Sequence, residues 1–246
     1  DMSFQPDALN ATLNFSEYTG QSPYSETFFE NSPLNRPHKK GAPGNDWQGN
    51  ATDDNDHTIK FEYLLNDRDE VRFFDAKTTW NAAAGLYDIQ LIDHGNYERN
   101  TLIKTITKDE NWTGGNKNTT EEFKDKLGRV VLKRTYHDDP LDTYYVYDLY
   151  GNLTYVIPPM ADNPTQQLDE FCYQYKYDYR NRVVEKKIPG KQWEFLLYDR
   201  LDRVVATGPA FTPFGGTEMG WIITKYDAFG RVAYTGWFKT SASRST

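Results

Sequence analysis

The sequence contains a single cysteine, Cys172, so no disulfide can form within it. Its four histidines, His38, His57, His94 and His137, are scattered, and no His-x-x-x-His or Cys-x-x-Cys spacing supports a zinc site. No run of about 20 apolar residues is present, so no segment reads as a membrane-spanning helix. Positive charge is in deficit. The 28 Lys and Arg against 36 Asp and Glu give a formal charge of −8, which argues against a nucleic-acid or anionic-membrane surface. No glycine-rich phosphate loop opens a helix, and Thr212-Pro213-Phe214-Gly215-Gly216 reads as a turn. Amphipathic helices of more than two turns are missing as well. Aromatic residues, by contrast, make up 15% of a chain that is only 37% hydrophobic, with 18 Tyr among them. That balance suits sheets whose faces are partly wet, where Tyr supplies area and a polar tip together.

Five copies of one short pattern, aromatic-Asp-x-x-Gly/Asn/Asp-Arg leading into β-branched residues, mark the second half of the chain. They run from Phe123 to Val130, Tyr147 to Leu153, Tyr177 to Val183, Tyr198 to Val204 and Tyr226 to Val232. The first copy is looser, with Lys124 between its aromatic residue and Asp125. Recurrence every 20 to 30 residues means one supersecondary unit used repeatedly.

The unit reads as a β-hairpin. Asp125, Asp148, Asp178, Asp199 and Asp227 are placed to accept a hydrogen bond from the backbone N–H two residues on, closing an Asx-turn. Three residues after each Asp the chain needs a left-handed conformation, as in a type I turn with a G1 bulge. Gly128, Gly151, Asn181, Asp202 and Gly230 stand there, all of them residue types that tolerate positive φ. Arg129, Arg182, Arg203 and Arg231 follow, with Asn152 in the second copy, and are expected to pair with a cross-strand carboxylate. An exposed pair of that kind contributes little. The expected role of all these residues is structural.

The pattern resembles the tyrosine-aspartate (YD) repeats of Rhs proteins, found also in teneurins and in the shells of insecticidal toxin complexes. Further anchors resemble the N-proximal part of Bacteroidetes-type Rhs proteins: Pro33-Leu34-Asn35-Arg36, Gly41-Ala42-Pro43-Gly44 followed by Trp47, and Thr119 to Val131. Asp142 to Asp148 and Tyr155-Val156-Ile157-Pro158-Pro159 do so too. The resemblance covers about residues 20 to 236. It implies an all-β fold of consecutive antiparallel hairpins in a curved, spiralling sheet, and a non-enzymatic role as shell. In that family such shells enclose a toxin or other C-terminal cargo. Protein partners, a secreted or cell-surface bacterial location and no cofactor follow from the same resemblance. The self-cleavage motif with Asp-Pro-x-Gly-Leu that ends many Rhs cores is not found, since Asp139-Pro140 is not followed by Gly-Leu. The chain starts and stops mid-pattern, which suggests part of a longer polypeptide.

Along the chain, residues 1–57 read as an irregular segment with short extended pieces at Ala11 to Tyr18 and Tyr24 to Phe29. Asn45 to His57 reads as a polar loop, and no secretion signal is visible at Asp1-Met2-Ser3-Phe4. Residues 58–118 read as strands at Ile59 to Tyr63, Val71 to Phe74, Tyr87 to Ile92 and Leu102 to Thr107, with a loop from Asp109 to Lys117. The hairpins then fill 119–240, with insertions at Pro158 to Gln167 and Gly208 to Gly220, and 241–246 reads as a frayed tail. Phe171, Tyr173, Tyr175 and Tyr177 are expected on one strand face, with Cys172 opposite as a plain strand residue and not a nucleophile.

Asp53-Asp54-Asn55-Asp56-His57 and Asn66-Asp67-Arg68-Asp69-Glu70 offer oxygens to Ca²⁺ but lack EF-hand spacing, so solvated acidic loops are the favoured reading. The second functional class is a surface module binding glycan or protein through exposed aromatics such as Trp80, Trp112, Trp193, Trp221 and Trp237. Strand alternation turns most of these inward as packing residues.

Overall fold

A computed structural model describes residues 14–213, 215–242 and 244. β-Branched and aromatic residues in period-2 alternation make strands the natural state of this chain. Among the described residues there are sixteen strands and one short α-helix, so the protein is nearly all-β. Fourteen strands lie in antiparallel ladders and two form a separate ribbon. The chain divides into two compact units, Asp1–Glu70 with Glu98–Asp142, and Val71–Tyr97 with Thr143–Thr246.

In the first unit, β1 (Glu26–Phe29), β2 (Pro37–Gly41), β3 (Ile59–Leu65), β6 (Ile103–Lys108), β7 (Thr119–Lys124) and β8 (Val130–Tyr136) pair antiparallel in that order. Alternation along β7 buries Thr119, Glu121 and Phe123. Phe123 lies across from Lys104 on β6 and Leu132 on β8. Phe123, Leu132 and Leu102 are fully buried, each worth about 2 kcal/mol of apolar transfer. A line of charge runs beside them. The Lys104 ammonium sits 2.7 Å from Glu70 and 3.0 Å from Glu121, and Arg134 pairs with Asp142 at 2.6 Å. Burial opposes the charge on Lys104, but the two carboxylates outweigh it and hold its pKa above the ordinary value.

The second unit contains β4 (Arg72–Asn81) and β5 (Leu86–Asn96), a two-stranded antiparallel ribbon. It also contains β9 (Pro140–Tyr147, whose first three residues belong to the first unit), β10 (Leu153–Ile157), β11 (Tyr173–Tyr177) and β12 (Val183–Lys187). Then follow β13 (Glu194–Tyr198), β14 (Val204–Phe211), β15 (Met219–Tyr226) and β16 (Val232–Lys239). From β9 to β16 each strand pairs with the next in sequence. The core lies where the ribbon's Phe74, Ala76 and Leu91 meet Val146, Tyr155, Ile157, Ala161 and Cys172. Phe74 meets Tyr144 edge-on, with ring centroids 5.2 Å apart.

Several expectations are corrected. Phe171 is not in a strand but ends α1 (Leu168–Phe171), which the Pro158 to Gln167 insertion leads into. Cys172 closes that helical turn, its N–H donating to the Leu168 carbonyl at 3.2 Å. It is wholly buried, and burial pushes its thiol up to about 11. Tyr173, Tyr175 and Tyr177 do share a face of β11, but Tyr173 is exposed at its start, while Gln174 on the opposite face is buried. Gln174 is held by Nε2 donation to the Leu168 carbonyl and to Asp169, which satisfies its amide inside the unit. The insertion expected at Gly208 to Gly220 is strand at both ends, because β14 runs to Phe211 and β15 starts at Met219. β4 and β5 extend well beyond Val71 to Phe74 and Tyr87 to Ile92, since cross-strand pairing carries polar residues such as Thr78, Thr79 and Gln90 into the ladder. Of the tryptophans, Trp221 is buried while Trp80 is exposed.

Residues 11–13 of the extended piece expected from Ala11 to Tyr18 lie outside the described residues, and its described part holds a 3-10 turn at Ser16–Tyr18. Asp1-Met2-Ser3-Phe4 lies outside them altogether. The described tail residues are tied back and not frayed: Ala242 accepts from the Trp221 indole at 3.1 Å, and Arg244 pairs with Glu185 at 3.3 Å.

Candidate functional site: the repeat turns and the ladder between them

All five repeat turns share one backbone geometry. The N–H of Asp125, Asp148, Asp178, Asp199 and Asp227 donates to the carbonyl four residues on, at 2.9–3.0 Å. The N–H three residues on donates back to the Asp carbonyl. Gly128, Gly151, Asn181, Asp202 and Gly230, which make that second donation, all have positive φ, between 59° and 86°. The strand register shifts at or beside the turn in every copy, for example between Lys176 and Tyr177 and between Lys225 and Tyr226. These features define a tight turn with a bulge, which a Cβ-bearing residue tolerates only if it is Asn or Asp.

The Asp side chain closes the turn from inside. Oδ1 of Asp178 accepts from the N–H groups of Arg180 at 2.9 Å and Arg182 at 3.0 Å. Its Oδ2 accepts from Arg182 Nε at 2.8 Å and Nη2 at 2.6 Å. Asp125 with Arg129, Asp199 with Arg203 and Asp227 with Arg231 repeat the arrangement. Each Arg pairs with the Asp that faces it across its own turn, and Arg182 reaches the Asp202 carboxylate of the next turn as well. The four-residue turn brings the guanidinium back over the carboxylate that caps it. In the second copy, neutral Asn152 takes that place, donating to Asp148 Oδ2 at 3.0 Å.

Asp148 and Asp178 are nearly buried, whereas Asp199 and Asp227 are more open. Burial would raise the Asp178 carboxyl, but the Arg182 guanidinium and the Arg182 and Arg180 N–H groups outweigh it and hold the pKa below the ordinary value. The Arg203 N–H first, with its guanidinium, lowers Asp199, and Arg231 lowers Asp227 in the same way.

Contacts between successive turns were not legible from their offsets. Tyr177 Oη donates to the Leu153 carbonyl at 2.6 Å, Tyr198 Oη to the Val183 carbonyl at 2.7 Å, and Tyr226 Oη to the Val204 carbonyl at 2.8 Å. In each case the Tyr of one repeat reaches the first strand residue after the preceding turn. The guanidinium of the preceding turn lies over the same ring, Arg182 over Tyr198 at 4.7 Å and Arg203 over Tyr226 at 4.6 Å. At the rim, Arg180 and Arg182 both reach Asp202 at 2.6 Å, and Asn152 donates to Asn181 Oδ1 at 3.1 Å. The sequence signal for this ladder is the constant Tyr before Asp in the last four copies, a residue with both a face and a donor.

The two acidic stretches are occupied by the protein itself. The buried Lys39 ammonium lies 2.7 Å from the carbonyls of Asn50 and Asp53, and 3.0 Å from both Asp54 and Asp56 carboxylates. Lys60 meets the other oxygen of Asp56 at 2.9 Å. A lysine thus sits where the sequence invited a cation. Burial alone would raise the Asp56 carboxyl, but Thr58, Asn50, Lys60 and Lys39 hold it strongly below its ordinary value. In the other stretch, buried Asn66 accepts from the N–H groups of Thr101 and Leu102 and donates to the carbonyls of Asp67 and Glu98. Among the described residues, no group of three or more His, Cys, Asp or Glu side chains is arranged to hold a metal ion.

Residues 1–61 match a family model described as a domain of unknown function, DUF6443. No curated protein matches the chain. Among solved structures, the chain is similar to the crystal structure of TcdB2-TccC3, at 15% identity over 88% of this chain and 11% of that chain, with a TM-score of 0.46. It is similar also to TcdB2-TccC3 without hypervariable C-terminal region, at 14% identity over 87% of this chain and 10% of that chain, with a TM-score of 0.46. The chain spans about a tenth of the length of the chains it matches.

Proposed function

We propose that this chain is a non-enzymatic segment of an Rhs/YD-repeat β-shell, secreted or displayed on a bacterial surface, that encloses or presents a partner polypeptide. The observation that carries the reading is the state of β16. It ends its ladder, pairs only with β15 among the described residues, and exposes Val232, Tyr234 and Phe238 on one face by 57–60%. An open strand edge beside an uncovered apolar face is a template for a further strand. Repeat arrays need such an end, because each unit is stabilised by its neighbours. The Tyr and Arg contacts between turns support the same reading, since they tie each hairpin to the one before it.

The test compares backbone hydrogen exchange of β16 in the recombinant chain and in the protein purified from its own cells, with lysine cross-linking and mass spectrometry on the latter. The expected result is fast exchange along the outer edge of β16 in isolation, slow exchange in the native assembly, and cross-links to a stoichiometric polypeptide. Equal exchange in both preparations, with no polypeptide cross-linked, refutes the proposal.

A further inference from the structure

The two residues between Asp and the bulge position close the repeat turn only through the backbone N–H of the second, which donates to the Asp Oδ1. Their side chains take no part, and the side-chain chemistry rests on Asp, on Gly, Asn or Asp at the bulge, and on Arg. Those free positions nonetheless carry large apolar residues in every copy. In the second unit the tips hold Leu149, Tyr179, Leu201 and Phe229, exposed by 73%, 69%, 70% and 85%. Leu127 occupies the same place in the first unit's turn and is 77% exposed. Turn closure does not require these side chains, although the Tyr179 ring meets Trp80 edge-on with centroids 6.4 Å apart, and their exposed apolar area is unfavourable in water.

We infer that the row of turn tips Leu149, Tyr179, Leu201 and Phe229 is a self-association surface that docks against the same row of a second copy of this chain. Three features select that occupant. Turns on one side of an antiparallel ladder recur every second strand, roughly 10 Å apart. A second copy offers the same pitch, so its tips fall into the gaps of the first. Strand twist makes the row a helical ridge, and two ridges of one hand can cross with several tips engaged.

Charge is the second feature. Three of the four rungs are internally neutral, Asp178 with Arg182, Asp199 with Arg203 and Asp227 with Arg231, and the fourth, Asp148 with neutral Asn152, carries a single negative charge, so two rows approach with little like-charge repulsion. The chain's net charge of −8 disfavours an anionic lipid surface instead. Area is the third. Four such tips expose roughly 600 Å² per copy, and with the flanking turn residues approach the ~800 Å² per partner of a standard interface. The surface is isologous, so it closes as a twofold dimer. It lies at the turns and not along the β16 edge, and does not depend on the shell reading.

Sedimentation velocity on the full chain from about 1 to 100 μM tests the inference. The expected result is a concentration-dependent dimer, weakened at least about tenfold in the triple variant Leu149→Ser, Leu201→Ser, Phe229→Ser. Phe211→Ser, exposed elsewhere in the second unit, is the control and leaves association unchanged. The triple variant keeps every turn-closing residue, and a native circular-dichroism spectrum checks that it folds. A Leu201→Cys variant should cross-link to a dimer with a short bis-maleimide, because buried Cys172 contributes no background. A wild type that stays monomeric throughout overturns the inference, as does a dimer indifferent to the triple change. A monomer that pellets with phosphatidylglycerol vesicles through these tips also overturns it, by giving the row to lipid.

Discussion

Asp178→Ala is the sharpest probe of the repeat turn. It deletes a nearly buried carboxylate that accepts four hydrogen bonds, two from backbone N–H groups and two from Arg182. Hydrogen bonds to a charged group are worth about 1.5–3 kcal/mol each, but the four are not additive. Arg182 keeps Asp202 at 2.6 Å, and water reaches the freed N–H groups at the turn, so the net loss works out at about 3 kcal/mol. Asp178→Asn retains Oδ1 for the two N–H groups but sets an amide donor against the guanidinium, and should lose about half as much. Asp227→Ala removes the same contacts at an open turn and should cost clearly less. Urea unfolding followed by fluorescence, with native-state hydrogen exchange of β11 and β12, measures all three. The pH dependence is a second readout. The native Asp178 carboxyl is depressed, so its stabilisation is complete above the unfolded-state value near 4 and drains away as pH falls through the lower native value. Asp178→Asn should flatten that acid limb. An Asp178→Ala variant within about 0.5 kcal/mol of wild type, or no more damaged than Asp227→Ala, would refute the closed-turn argument.

Other expectations follow from single contacts. Lys39→Met leaves Asp56 and two carbonyls around an empty centre, and should cost about 3 kcal/mol while exposing residues 50–56 to rapid amide exchange. Tyr177→Phe removes the hydroxyl bound to the Leu153 carbonyl and should cost about 1 kcal/mol by urea unfolding. Burial raises the Tyr177 phenol to about 12, so wild-type stability should fall between pH 10 and 12 as the unfolded phenol ionises first, and Tyr177→Phe should lose less over that range. Cys172 should resist maleimide in the native state and label only at the rate of opening of the second unit's core, as followed by mass spectrometry.

How far the sequence could be read depended on how local the physics was. An Asp two and four residues from the N–H groups it caps, and a residue with positive φ between them, are decided within six positions. Gly128, Asn181 and Asp202 therefore announced their turns. Which carboxylate the Arg takes was not legible, because alternation specifies a face but not a partner, and the turn folds the guanidinium back onto its own Asp. Cys172 and Phe171 were misplaced for a similar reason. The Tyr-rich alternation from 171 to 177 reads as a strand, but the preceding insertion enters as a helical turn. The acidic stretch at 53–57 was legible as an oxygen cluster. That its cation is Lys39, fourteen or more residues away in sequence, was not.

The sequence by itself determined that the chain is β-built, where its hairpins turn, and which residues close them, because those choices are set by side-chain period, positive φ and short-range capping. Tertiary structure alone decided that Tyr of one repeat reaches the carbonyl after the turn before it, that Phe74 and Leu91 cover Tyr155 and Cys172, and that Leu149, Tyr179, Leu201 and Phe229 share one rim. Those contacts join residues from 15 to more than sixty positions apart. Their partners are chosen by strand register and burial, which no local pattern encodes.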